Sequence, residues 1–167
     1  MNEDLVIEVM RTGEQPDKGH VFGVMTIKNK DTEVGKFSIL ERGGKAPSLK
    51  IGVYEMRHSR KHKGRQVQCL RPTNMYISSI LIHDAYHDNA DELEGCIAPF
   101  LFGTEADNLY GSAEAMTQLW ELIGGYDESQ QKTILLKILS NVPGDNRTAE
   151  KWLEYRKAEW LKKYGKK

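Results

Sequence analysis

Cysteine is scarce in this chain of 167 residues: Cys69 and Cys96 are the only two. Two are too few for the disulfide framework of a small secreted domain, so Cys96 is judged by its reactive surroundings instead. No apolar run approaches the roughly 18 residues needed to cross a bilayer, and no membrane association is expected. The start, MNEDLVIEVMRTGE, is acidic and lacks a basic segment followed by a long apolar stretch, so no secretion signal is expected, and synthesis and folding are expected in a cytoplasm. Low-complexity tracts and internal repeats are also missing. With 39% hydrophobic and 29% charged residues, the composition excludes disordered, collagenous and fibrous classes. The length fits one domain with at most a small appendage.

Net charge is zero, but the charges are segregated. Residues 36–71 hold 10 Lys+Arg against 2 Asp+Glu, residues 84–128 hold 11 Asp+Glu and no Lys or Arg, and residues 129–167 hold 10 against 4. Such blocks orient a partner or face one another across a fold; the second arrangement is the one expected.

The first half reads as β-structure. Leu5, Ile7 and Val9 alternate with polar residues, and short β-branched or aromatic runs follow at 21–27, 37–40, 51–56, 67–70 and 77–82. Turn signals separate them at 15–19, 29–31, 43–47 and 71–74. Five or six strands so spaced predict a barrel or sandwich. From Ser112 the period becomes helical, with Met116, Leu119, Trp120 and Ile123 on one face, Ser112 as the expected N-cap and Gly124-Gly125 as the stop. The run 134–139 fits either a helix opened by a capping box at 127–130 or a buried strand. After a turn at 142–146, Trp152, Tyr155, Glu159 and Trp160 share a helical face, which predicts an amphipathic terminal helix packed on the body or on a partner.

The stretch most informative about chemistry is ILIHDAYHDNADELEGCI, residues 80–97. An apolar strand delivers His83 at its end, a polar loop follows, and Gly95 immediately precedes Cys96. A thiol that attacks a carbonyl needs a base and backbone N–H donors for the oxyanion, and a glycine before it lets the backbone approach a substrate. The alternative makes Cys96 a buried small residue after a tight turn and His83 a hydrogen-bonded histidine holding the loop. His83, Asp84, His87, Asp88, Glu94 and Cys96 are also zinc-ligand types, but a His-x3-His pair converges only on a helix, and this segment reads as loop; no metal or other cofactor is expected.

This signature resembles that of an uncharacterised family of phage and prophage proteins, which carry Ile-His, a Gly/Asn/Asp-rich loop and Gly-Cys-Ile/Leu. It is in turn similar to the active-site segment of L,D-transpeptidases, cysteine enzymes that cross-link peptidoglycan stem peptides. Residues 37–42, 51–54 and 112–123 follow the family's order of elements, so the resemblance spans roughly residues 5–140. It implies a mainly β (α+β) fold, an L,D-transpeptidase-like β-barrel or sandwich with helices near the C-terminus, occupying 1–142, with 143–167 as a helical extension. It also implies Cys96 as nucleophile, His83 as candidate base, Gly95 as part of the oxyanion site and Glu94 as a residue that orients His83 or recognises a substrate ammonium. The chain departs from the transpeptidase pattern where Glu94 replaces the base histidine and Ala98 the usual arginine. Asp84, Asp88, Asp91, Glu92 and Glu94 oppose a thiolate at Cys96.

The basic run 57–65 reads as a hairpin tip, and Arg57, Arg60, Lys61 and Arg65, with His87, are candidate substrate-binding residues. Without interleaved aromatics the run lacks base-stacking partners, so nucleic acid is not expected as a partner. The expected partners are peptidoglycan peptides, and phage structural proteins or a second copy through the terminal helix. The expected function is phage-type and cell-wall-associated, with delivery to the wall in a virion or on lysis. The competing expectation is a non-catalytic structural or binding module of a virion or injection machine.

Overall fold

The computed structural model describes residues 5–15, 20–42, 49, 51–62, 65–74, 81–83, 96–101, 110–124, 133–141, 157–158 and 160–165. The protein is mainly β. Among the described residues, seven strands form one curled mixed sheet: β1 (Leu5–Gln15), β2 (His20–Asn29), β3 (Thr32–Arg42), β4 (Gly52–His62), β5 (Arg65–Pro72), β6 (Ile97–Phe100) and β7 (Thr133–Ser140), in the order β5-β4-β7-β1-β2-β3-β6. The run left open between helix and strand is thus β7, parallel to β1 and antiparallel to β4. Ile134, Leu136 and Ile138 point to the core while Lys137 is exposed, a period of two that a helix does not produce.

The two ends of this sheet meet. Ile82 pairs with Leu70 of β5 on one side and with Ile97 of β6 on the other. Residues 81–83 thereby bridge the two edge strands and close the sheet into a barrel. Of the strand expected at 77–82, residues 77–80 lie outside the described residues.

Inward-facing Leu5, Ile7, Val9, Met25, Ile27, Phe37, Ile39, Met56, Leu70, Ile82, Ile97 and Leu136 form the main core. Helix α1 (Ser112–Leu122) adds Ala115, Met116, Leu119 and Trp120 to the same cluster. The helix starts one residue earlier than Ser112 would set it. Gly111, at φ 80°, is the N-cap, a left-handed conformation that glycine adopts without steric cost. Ser112 instead donates its hydroxyl to the Pro99 carbonyl at 2.8 Å and is fully buried, tying the helix to β6. The helix ends as expected, with the Gly124 N–H bonded to the Glu121 carbonyl.

The inward stripes of β1 and β3 do not stay apolar. Leu5, Ile7, Val9 continue into Arg11, and Phe37, Ile39 continue into Glu41, both fully buried. Register sets Arg11 beside Gly23 and Glu41 beside Val21, so the two side chains meet across β2. Arg11 Nε and Nη2 donate to the two Glu41 carboxylate oxygens, each at 2.8 Å, and Nη2 also donates to the Leu49 carbonyl. A bidentate pair with an added carbonyl is the geometry in which mutual attraction best offsets the desolvation of two charges. Beside the bulge at Arg11/Gly13, β1 and β2 approach so closely that a Cβ at Gly23 would collide with the Met10 carbonyl.

Removing one partner strands the other charge. Glu41→Ala should lower stability by about 3–5 kcal/mol in chemical denaturation, whereas Arg11→Met/Glu41→Leu should recover most of that loss. Equal losses in the single and double variants would show that volume, not charge pairing, sets this layer.

Candidate functional site

Pairing at the seam fixes the positions of the sequence-predicted pair. The Ile97 N–H donates to the Leu81 carbonyl at 3.0 Å, and the His83 N–H donates to the Ile97 carbonyl at 3.1 Å. The segment 81–83 therefore runs parallel to 96–98, with Leu81 next to Cys96 and His83 next to Ala98. Because Ile82 and Ile97 face the interior, alternation turns Leu81, His83, Cys96 and Ala98 outward together. His83 and Cys96 thus occupy diagonal positions on one face of adjacent segments. They are 3% and 2% exposed.

The outward face at the seam is itself packed. Phe22, Leu40, Cys69, Leu81, Cys96, Ala98 and Phe100 form a second cluster on the far side of the sheet from the main core. The Leu81 backbone N–H donates to Cys96 Sγ at 3.2 Å. An N–H aimed at sulfur favours the thiolate, whereas apolar surroundings oppose it. Neither cysteine is in a disulfide.

Cys69 enters by the other side of the seam. Leu70 and Ile82 exchange both backbone bonds, at 2.9 and 3.0 Å, in an antiparallel pair. The residues flanking that pair, Cys69 and His83, therefore stand opposite one another and turn to the same outward face. Sequence reading missed Cys69. Its signal was the alternation around Leu70, which becomes informative only once 81–83 is known to pair with β5.

Glu94, Gly95 and His87 lie outside the described residues, as do Asp84, Asp88, Asp91 and Glu92. Arg57 is exposed on β4 and faces Arg71 of β5 in register. Arg60 and Lys61 lie in β4 and Arg65 opens β5, where it pairs with His62, so the basic run follows the β4–β5 hairpin. His58 belongs to structure instead: its ring meets that of Trp120 edge-on, centroids 4.9 Å apart, which docks the hairpin on α1. Among the described residues, no group of three His, Cys, Asp or Glu is placed to hold a metal ion, and no helix is long and apolar enough to cross a membrane.

In the terminal segment, residues 157–158 and 160–164 are helical. Trp160 and Tyr164 pack ring to ring at 5.4 Å, and Tyr164 is 60% exposed. Trp152 and Tyr155 fall outside the described residues.

No family model, curated protein or solved structure matches the chain.

Burial at the seam sets the reactivity of both thiols. Ellman's reagent should label Cys69 and Cys96 at least about a hundredfold more slowly in the native protein than in denaturant, since labelling then waits on local opening. Rapid native labelling of one thiol would identify a cysteine already open to solvent.

Proposed function

We propose that the chain is a phage-type, cell-wall-associated protein with an L,D-transpeptidase-like body, whose Cys96 and His83 act on peptidoglycan stem peptides. The observation that supports this reading is the seam register: one histidine and one cysteine on the same face of adjacent parallel segments. In the proposed reaction His83 takes the Cys96 thiol proton and the sulfur attacks a stem-peptide carbonyl. The amide C–N bond breaks, the amine departs with the proton from His83, and an acyl-thioester remains on Cys96. Water or an acceptor amine then releases the acyl group, giving hydrolysis or transfer. Gly95 and the neighbouring backbone would hold the oxyanion, Glu94 would orient His83 or meet a substrate ammonium, and Arg57, Arg60, Lys61, Arg65 and His87 would bind the substrate.

Cys96 is almost wholly covered, which favours a second reading. In it the chain is a non-catalytic module of a virion or injection machine, Cys96 and His83 fill the outer face of the seam, and the terminal helix docks on a neighbouring subunit or a second copy. In either reading the chain is made in the cytoplasm and reaches the wall in a virion or on lysis.

Incubation with purified sacculi separates the two. Wild-type protein should release or cross-link muropeptides detectable by mass spectrometry, and Cys96→Ala and His83→Gln should lower the yield by at least about a hundredfold. Identical muropeptide profiles with wild type and Cys96→Ala would remove the enzymatic reading and leave the module.

Binding is tested apart from turnover. Arg60→Glu/Lys61→Glu should weaken sacculus binding at low salt and matter little at high salt, because charge attraction through solvent is screened within about 3 Å at 1 M. Binding unchanged at every ionic strength would make the hairpin an ordinary solvated surface.

A further inference from the structure

Two surfaces far along the chain from one another are complementary in shape and charge. The first is a groove of about 350 Å³ between β3 and α1, lined by residues 34–37 of the strand and by Gln118, Glu121 and Leu122 of the helix. Its apolar members are Phe37, which is buried, Leu122, which is half-buried and packs where a Cβ on Gly35 would collide, and Val34, which is 43% exposed. On the strand wall Lys36 lies 4.0 Å from Glu33, so opposite charges balance there. The helix wall is acidic. Glu114, Gln118 and Glu121 are exposed at spacings of four and three, which puts them on one face, and α1 contains no Lys or Arg. A cavity of about 150 Å³ accepts a benzene ring, so the groove has room for an aromatic side chain and its neighbours.

The second surface is the terminal helix. Leu161 is 46% and Tyr164 60% exposed, and their spacing of three sets them on one face. Lys162 and Lys163 are exposed beside them, and the Lys163 ammonium stands 5.3 Å from the centre of the Tyr164 ring. Residues 157–167 hold five Lys and one Glu. Among the described residues five large apolar side chains are exposed, and three of them, Val34, Leu161 and Tyr164, lie on these two surfaces. The groove has no lining residue from the terminal helix, and Leu161 and Tyr164 are uncovered, so a copy does not fill its own groove in this structure.

We propose that the terminal helix of one copy docks in the β3–α1 groove of a second copy, with Leu161 and Tyr164 entering the groove and Lys162 and Lys163 meeting its acidic helix wall. Both halves of the contact belong to one sequence, so a second copy supplies each in equal number. The exchange is reciprocal, which closes the assembly at two copies, whereas a one-way contact would propagate into an open chain. The inference rests on the docking role given to the terminal helix in the second reading of function, and it names the surface that receives that helix.

Sedimentation of the full chain at low salt, over a series of concentrations, tests the contact. Wild type should form a concentration-dependent dimer. Leu161→Glu/Tyr164→Glu should weaken it at least about a hundredfold, since two large apolar side chains lose their burial. Gln118→Lys/Glu121→Lys should weaken it about tenfold, the effect of turning exposed attractions into repulsions. All four replaced side chains are exposed, and circular dichroism confirms that each variant is folded. Adding Lys162→Glu/Lys163→Glu to the groove variant should restore affinity to within about threefold of wild type, because the charges are then exchanged rather than opposed. A wild type that stays monomeric throughout the series overturns the proposal, and a fall in its thermal midpoint on Leu161→Glu/Tyr164→Glu would then assign the groove to the chain's own helix. Association abolished by the helix variant but untouched by the groove variant overturns the groove as receiver and leaves the docking role of the helix standing. Affinity that the exchanged charges fail to restore overturns the pairing as well.

Discussion

A curled sheet of seven strands leaves two edges, and each exposed edge is a row of backbone groups ready to pair with another chain. Here the edges are β5 and β6, and the only described segment between them is 81–83. Its backbone bonds to Leu70 on one side and to Ile97 on the other. Among the described residues, four backbone hydrogen bonds close the sheet there. The rest of the molecule depends on that closure, because without it Ile82 and Ile97 lose their place in the core and the outward side chains of the seam no longer share a face. The described part of the seam is also held from inside.

The interior supplies that hold. Glu41 pairs in register with Ile97, which in turn pairs with Ile82, and Ile82 with Leu70. The Arg11–Glu41 ion pair therefore lies at the same level of the barrel as the seam, one strand away. Its bidentate geometry fixes the separation of β1 and β3 across β2 and, through the Leu49 carbonyl, draws in the connection that follows β3. Helix α1 fills toward the other end, where Leu122 packs so close to Gly35 that a Cβ there would collide with it. The barrel is thus filled from both ends, apolar at one and ionic at the other. The ionic end is the more specific, because a slip of one residue in β1 or β3 would turn a charge outward and leave its partner buried alone.

Much of this was legible because strands advertise themselves by alternation. Leu5, Ile7 and Val9 predicted a half-buried strand, and their burial follows that pattern. Arg11 continued the period by position and broke it by chemistry, so reading for hydrophobicity stopped one residue too soon. Glu41 hid in the same way after Phe37 and Ile39. The run at 134–139 stayed ambiguous because a strand flanked on both sides by other strands shows an apolar stretch that periodicity alone cannot separate from a buried helix. Ser112 misled for another reason. A serine before an apolar helix is usually a cap, but here the Pro99 carbonyl competes for its hydroxyl while Gly111 takes the capping conformation. Of the site, the His83 and Cys96 residue types were legible in one segment, whereas Cys69 was not, because its proximity is created by a long-range pairing that no local pattern encodes.

The period of two also separates stability from chemistry at the seam. Inward side chains, Ile82 and Ile97, belong to the main core, and the backbone bonds of 81–83 and 97 lie in the plane of the sheet. Outward side chains, His83, Cys96 and Cys69, take no part in either. A motion that uncovers the outer face would expose both thiols and the imidazole, and among the described residues it would disturb the Leu81 N–H to Cys96 Sγ contact. That contact is itself informative about the direction of coupling. If Cys96 ionises, a backbone donor already aimed at its sulfur meets the charge without reorganisation, the preorganised arrangement that lowers the cost of forming an anion. If it does not ionise, the same donor is satisfied by a weak acceptor inside an apolar cluster and merely positions the strand. The geometry is common to the enzyme and to the structural module, and what distinguishes them is whether the outer face opens.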